Sequence, residues 1–250
     1  MEAYTEFAQV YDRFMDNVPY EAWCEGISKI LTEHGISEGL VLDLGCGTGT
    51  MTRLLRQKGY DMIGVDASAE MLEIARNHPD EGILYLQQDM REFELYGTVR
   101  AVICLCDSLN YLLEENDLLT TFKLVNNYLD PNGLFIFDFN TVYKYETVIG
   151  DSTIAENRED CSFIWENYYT AEDQINEYDL TIFVKQQKDL FRKFTETHLQ
   201  RGYTLETMKR LVEQSGLIFV EALDADTHGS VTETSERIYV IAREHGKNLG

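Results

Sequence analysis

Between Leu40 and Phe139 short apolar runs alternate with segments of helical spacing, and nothing else in the 250-residue chain restricts its fold as much. Leu40–Leu44, Tyr60–Asp66, Ile83–Gln87, Val99–Cys106 and Leu134–Phe139 read as strands. Thr50–Lys58, a segment running from a Ser68 cap to about Asn77, and Asp117–Leu129 read as the helices between them. Ala101–Cys106 is apolar throughout, as a strand buried on both faces is. Pro79 marks an element boundary, and Pro131-Asn132-Gly133 reads as a turn. Such an alternation implies a parallel sheet with helices packed on both faces.

Upstream, residues 4–35 read as helical with a break near Asn17-Val18-Pro19. Trp23, Ile27, Ile30 and Leu31 recur at helical spacing after Pro19. Downstream, the alternation stops near Tyr143. Cys161–Thr170, Asn176–Gln186 and Leu190–Gln200 are rich in Phe, Tyr, Ile and Thr and read as a β-meander, with turns at Ala171–Gln174 and Gln187–Asp189. Thr204 then caps a helix carrying Leu205, Met208, Leu211 and Val212, and Leu217–Leu223 and Arg237–Arg243 are two last strands. The expected architecture is an α/β unit from residues 1–142 and 201–250, interrupted by a β-rich insertion at 143–200. The insertion leaves from the carboxyl end of a strand, so it is expected to lie over the strand ends as a lid or substrate wall.

Apolar residues make up 44% of the chain, enough for a real core, and the formal net charge is −23. That charge argues against a binder of nucleic acid or of anionic membranes. No apolar run approaches the roughly 20 residues of a membrane span. The start Met1-Glu2-Ala3 lacks the basic and apolar regions of a leader, and Cys24, Cys46, Cys104, Cys106 and Cys161 show neither a disulfide framework nor zinc-ligand spacing. A reducing cytoplasm is the simplest setting, with no metal site.

The chemistry concentrates in Val41-Leu42-Asp43-Leu44-Gly45-Cys46-Gly47-Thr48-Gly49. A strand runs into a glycine-rich turn that opens a helix, so backbone can approach a ligand and the helix-start N–H groups can face it. The spacing is G-x-G-x-G, which fits the dinucleotide fingerprint G-x-G-x-x-G poorly. Asp43, just ahead of the glycines, suits a cationic ligand better than a pyrophosphate. Asp43, Asp66, Asp89 and Asp107 all fall at carboxyl ends of successive strands, where ligands of open parallel sheets bind. Carboxylates only accept hydrogen bonds, which suits hydroxyl, amine and ammonium groups.

On these residues the chain resembles class I S-adenosylmethionine-dependent methyltransferases. Asp43-x-Gly45-x-Gly47-x-Gly49 is similar to their first motif, with Cys46 inside it. The resemblance implies that Asp66, followed by Ala67, holds the ribose hydroxyls of S-adenosylmethionine. It implies that Asp89-Met90 reads the adenine edge and that Leu105-Cys106-Asp107 lines the methionine part. It further implies a seven-stranded Rossmann-like sheet of order 3-2-1-4-5-7-6. The N-terminal Phe7-Ala8-x-Val10-Tyr11-Asp12 and Tyr20-Glu21-Ala22-Trp23 resemble the first helices of small-molecule methyltransferases, the glycine N-methyltransferase type among them. In that group Tyr11, Tyr20 and Trp23 would close over the cofactor.

The implied activity is methyl transfer to a small-molecule N or O acceptor by in-line displacement, with Tyr11 or Tyr143 orienting the acceptor. A cofactor-binding module without catalysis is the alternative, because the motifs concern binding only. Asn110, Tyr111, Asn140 and Tyr143 follow strand ends and could face the acceptor, although loop hydrogen bonding explains them more simply. His198 reads as a strand surface residue, and Lys185, Lys188, Arg192 and Lys193 as a solvated basic face.

Overall fold

The computed structural model describes residues 7–78, 82–188 and 190–247. The Met1-Glu2-Ala3 start, the Pro79 boundary and Asp189 of one expected turn lie outside the described residues. Two helices come first, α1 (Ala8–Phe14) and α2 (Tyr20–Glu33), with Pro19 capping the second. Then follow β1 (Leu40–Leu44), α3 (Thr50–Gln57), β2 (Asp61–Asp66), α4 (Ala69–Arg76), β3 (Leu84–Gln87), β4 (Val99–Cys104), a 3-10 turn (Ser108–Tyr111), α5 (Glu115–Tyr128) and β5 (Leu129–Asn140). After a π-helical turn (Lys144–Ile149) come β6 (Thr153–Asn157), β7 (Cys161–Thr170), β8 (Ile175–Gln187) and β9 (Leu190–Arg201). The chain ends with α6 (Leu205–Gln214), β10 (Ile218–Asp224) and β11 (Arg237–Arg243). None of the described helices is long and apolar enough to cross a membrane.

The central sheet has the order β10-β11-β5-β4-β1-β2-β3. Counted along its own seven strands, this is the order that the resemblance implies. β3, β2, β1, β4 and β5 run parallel, and β11 is antiparallel to both β5 and β10. Strand alternation divides the core into two layers. Phe135, Phe137 and Phe139 of β5 face α5 and α6, where Phe122 packs at 5.5 Å from Phe135 and 5.2 Å from Phe137. Leu134 and Ile136 face the other way, towards the layer built from α2 and α3. Cys24, Ile27 and Leu31 fall on one helical face of α2 and are all buried there. The turn expected at Pro131-Asn132-Gly133 is a break inside β5. Pairing with β4 jumps from Leu129 to Leu134, and Asn132 has a φ of 62°.

The insertion forms a second, antiparallel sheet of order β6-β7-β8-β9. Its last three strands match the expected meander, and β6 was not expected. The chain leaves the central sheet at Asn140–Val142 and returns beside its own exit, with Thr141 bridged to Tyr203. At Gly202 any Cβ would come 2.9 Å from the Val142 backbone, so only glycine permits this closure.

Helix α1 lies between the two sheets. Val10 and Phe14 bury against Cys161, Tyr178, Leu180 and Ile182 of the insertion. Phe14 meets Phe163 edge-on at 4.9 Å, and Arg158 covers its other side at 5.4 Å from the ring centre. On the opposite flank, Thr48 of the glycine loop donates to Asp12 at 2.6 Å. Phe14→Ala is therefore expected to destabilise the protein by about 3 kcal/mol, at the lower end for a buried phenylalanine. Amide exchange is expected to accelerate in α1 and β7 while β1 and β4 stay protected. Uniform acceleration across both sheets would show that α1 is not the local joint.

Candidate functional site

The glycine loop after β1 is built by backbone geometry. Gly45, Gly47 and Gly49 have φ values of 80°, 53° and 76°, a region that side chains disfavour. The amides of Gly45 and Cys46 donate to the Val65 carbonyl at 2.7 and 3.0 Å. Gly47 donates to Asp66 Oδ2 at 2.8 Å, and Ser68 donates to Asp66 Oδ1 at 2.8 Å. A Cβ on Gly45 would lie 2.7 Å from Ser108 Oγ, whereas one on Gly47 would meet nothing within 4 Å.

A cavity of about 590 Å³ opens over this loop, at the carboxyl ends of β1 to β4. Asp43, Gly45, Cys46 and Gly47 form its floor. Asp66 and Ala67 come from β2, Asp89 and Met90 follow β3, and Leu105 and Cys106 follow β4. Tyr11 of α1 and Tyr20 of α2 close one side. The volume falls in the usual range of about 300–1,000 Å³ for small-ligand sites.

Its carboxylates differ in state. Asp43 is 3% exposed and accepts from Thr52 Oγ1 at 2.6 Å. Burial pushes its carboxyl up to about 7, with the Thr52 hydroxyl opposing and Asp66 adding to the effect. Burial also raises Asp66, against the amides of Ser68 and Gly47. Asp89 is lowered instead, because Arg91 grips it side-on, with Nη2 at 2.6 Å and Nε at 2.9 and 3.1 Å from its two oxygens. Burial pushes the Cys46 and Cys106 thiols well up, so neither is a poised nucleophile.

Four residues expected at the site are not in this wall. Gly49 caps α3 instead, where a Cβ would come 2.5 Å from Tyr85 Oη. Asp107 turns away and accepts from Arg237 Nη2 and Gln200 Nε2, each at 2.7 Å. Trp23 lies edge-on to Tyr20 and under the Arg237 guanidinium, 5.6 Å from the ring centre. Tyr143 leads into the π-helical turn and is half-buried outside the cavity. Asn110 bonds the Asn140 backbone twice and donates to the Arg201 carbonyl at the stem of the insertion.

The sequence reading missed a cluster beside the cavity. Tyr111, at the end of the 3-10 turn, lines the wall. Its hydroxyl is 2.9 Å from the Tyr178 hydroxyl and 3.1 Å from His198 Nδ1. His198 is not a surface residue: its side chain is fully buried, stacked on Tyr178 at 4.8 Å, with Nε2 3.5 Å from Glu196 Oε2. The strand surface was the wrong face because α1 and the 3-10 turn cover that side of β9. The available signal was Glu196, His198 and Gln200 at every second position, which places three polar side chains on one strand face.

Comparison with known proteins agrees with this geometry. The family described as Methyltransferase domain matches residues 41–133. "Putative methyltransferase YqeM" of Bacillus subtilis (strain 168) is 36% identical over 244 residues, 96% of this chain and 97% of that protein. A glycine/sarcosine N-methyltransferase of Parasynechococcus marenigrum (strain WH8102) is 33% identical over 53% of this chain and 49% of its own length. The dTDP-3-amino-3,6-dideoxy-alpha-D-glucopyranose N,N-dimethyltransferase of Streptomyces fradiae is 27% identical over 53% of this chain and 52% of its own. The crystal structure of an S-adenosylmethionine-dependent methyltransferase from Clostridium acetobutylicum ATCC 824 superposes with a TM-score of 0.88 at 29% identity, covering 98% of this chain and 100% of that one.

The raised Asp43 carboxyl has a measurable consequence. An unfolded aspartate titrates near 3.8, whereas native Asp43 keeps its proton to about 7. Over that window the folded state binds more protons, so stability falls as pH rises and levels off above about 7. Between pH 5 and 8 the wild type is expected to lose about 2–3 kcal/mol more than Asp43→Asn. Denaturant unfolding at both pH values measures it, and parallel losses in the two proteins would refute the assignment. A cation bound beside Asp43 favours the ionised form and is expected to flatten the slope.

Proposed function

Because the chain belongs to the S-adenosylmethionine-dependent methyltransferases, we propose that it binds S-adenosylmethionine in the cavity over β1 to β4 and methylates the nitrogen of a small amine. One observation carries the reading: three carboxylates and an open glycine loop converge on one cavity at the strand ends. The residues present fit the cofactor. Asp66 accepts from ribose hydroxyls, while its backbone bonds to Gly47 and Ser68 hold it in place. Asp43 faces the charged methionine end, and the missing side chain at Gly47 leaves room for close backbone approach. Asp89, fixed by Arg91, and Met90 meet the adenine, and Leu105 and Cys106 run along the methionine portion. Tyr11 and Tyr20 cover it from the helices. Tyr143, outside the wall, has no place in this reading.

When bound, the cofactor supplies a methyl group already activated on a sulfonium sulfur. The chain contributes position and dryness: the acceptor must sit in line with the methyl, where proximity alone is worth several orders of magnitude in rate. Helix α1, seated on the insertion sheet, places Tyr11 on the cavity wall and narrows its access to water. Tyr11 orients the acceptor. An amine acceptor is favoured over a hydroxyl because the two N-methyltransferases named above act on nitrogen, one on glycine and sarcosine, the other on an amino sugar.

Calorimetric titration of the wild type and of Asp66→Ala with S-adenosylmethionine, with NAD as control, tests the cofactor. Wild type is expected to bind, and Asp66→Ala to bind at least about 30-fold more weakly, the loss of about 2 kcal/mol expected for charge-assisted bonds. Equal binding by a folded variant would remove Asp66 from the site. Release of S-adenosylhomocysteine with glycine, sarcosine or dTDP-3-amino-3,6-dideoxyglucose tests the acceptor class. Binding without turnover of any amine would favour a cofactor-binding module.

A further inference from the structure

We propose that Tyr111, His198 and Glu196 form a proton relay that strips the acceptor amine of its proton before methyl transfer, with Tyr111 as the catalytic residue and the other two positioning and charging it. The inference rests on the amine-acceptor reading above. A small amine is protonated near neutral pH and then has no lone pair to offer, so this chemistry needs a route for a proton to leave. The cavity carboxylates do not supply it. Asp43 is held by Thr52 on the floor, Asp66 by backbone amides and Asp89 by Arg91. The Cys106 thiol and the Tyr20 hydroxyl, both in the wall, are pushed up by burial and are poor bases.

Tyr111 differs because an imidazole stands behind it. Tyr111 lines the cavity, as Tyr11 and Tyr20 do, and its hydroxyl is 3.1 Å from His198 Nδ1. Stacking on Tyr178 at an interplanar angle of 6° fixes the ring plane of His198. Glu196, only 8% exposed, faces Nε2 and takes the Phe7 amide at 2.9 Å through its other oxygen. Burying a carboxylate and an imidazole costs more than filling the same space with apolar side chains, so packing alone does not account for the pair. Hydroxyl, imidazole and carboxylate in this order are the usual means of drawing a proton off a hydroxyl.

The step balances as follows. The amine proton passes to Tyr111 Oη as the Tyr111 proton passes to His198 Nδ1, and the imidazolium is matched by the Glu196 carboxylate. The freed nitrogen lone pair forms the N–C bond as the C–S bond breaks, and that pair stays on sulfur. Once the product has left, the imidazolium returns its proton through Tyr111 to water in the emptied cavity. Tyr111 comes from the central sheet and His198 from the insertion, so the base is assembled only when the two sheets are docked.

Nitrogen NMR of protein labelled with ¹⁵N-histidine, saturated with S-adenosylhomocysteine, reads the relay without turnover. His198, assigned through His198→Asn, is expected as the Nε2–H tautomer with Nδ1 accepting, and Tyr111→Phe is expected to shift Nδ1. A proton on Nδ1, or no shift in Tyr111→Phe, overturns the relay. In turnover of glycine, sarcosine or dTDP-3-amino-3,6-dideoxyglucose, Tyr111→Phe and His198→Asn are expected to lower kcat by about 10²–10³-fold, the size of a lost general base. S-adenosylmethionine affinity is expected to stay within about threefold, and Glu196→Gln to lose about tenfold in kcat. Unchanged kcat in Tyr111→Phe, which removes one oxygen and leaves the ring, overturns the proposal. A wild type that binds S-adenosylmethionine but methylates none of the amines instead fails the reading beneath it, and the NMR result still decides the geometry of the relay.

Discussion

The bond from the Gly47 amide to the Asp66 carboxylate, 2.8 Å long, holds the site together. It ties the loop after β1 to the end of β2, and it forms only because left-handed glycines turn the amide towards the neighbouring strand. Asp66 is thereby fixed in a half-buried place where an untethered carboxylate would swing to solvent. The same turn starts α3, puts Thr52 over Asp43 and brings Thr48 to Asp12 of α1. Loop, carboxylates and covering helix thus share one backbone constraint.

A second joint connects the insertion to the central sheet, and it is polar. Arg237 at the start of β11 bonds Asp107 at 2.7 Å and approaches Asp138 at 3.5 Å, while Gln200 of β9 reaches Asp107 and accepts from Tyr145 at 2.8 Å. Asp138 in turn accepts the amides of Cys106 and Asp107, which fixes the left-handed turn after β4. Ions this deep are poor sources of net stability, but removing one partner costs about 3–5 kcal/mol by stranding the other. The network therefore sets the seating of the insertion more than it strengthens the fold. That seating carries Tyr178 and His198 to Tyr111.

Much of this was legible in the chain. Strands β1, β4 and β11 are buried almost throughout, so they stand out without knowledge of their neighbours. Ser68 and Thr204 cap α4 and α6 as read, because a cap needs only the adjacent turn. Strand β6 was missed because Thr153–Asn157 is almost wholly exposed and carries no apolar alternation. Its strand state comes from pairing with β7. That Asp107 and Trp23 lie outside the cavity wall has a similar origin, since both are held by Arg237, which is 130 residues from Asp107 along the chain.

What the sequence determined by itself was local: the period of each element, the glycine turn, the carboxylates at strand ends and hence the family resemblance. These depend on neighbours within a few residues, so they are written contiguously. The tertiary structure alone decided which polar side chains meet. His198 is buried beside Tyr111 of the cavity wall, 87 residues earlier, and reaches it through a bond that no spacing rule anticipates. Whether a polar residue on a strand is a surface group or part of a buried site depends on what covers that face. Here the covering elements are α1 and the turn after β4, distant in the chain and brought together by packing.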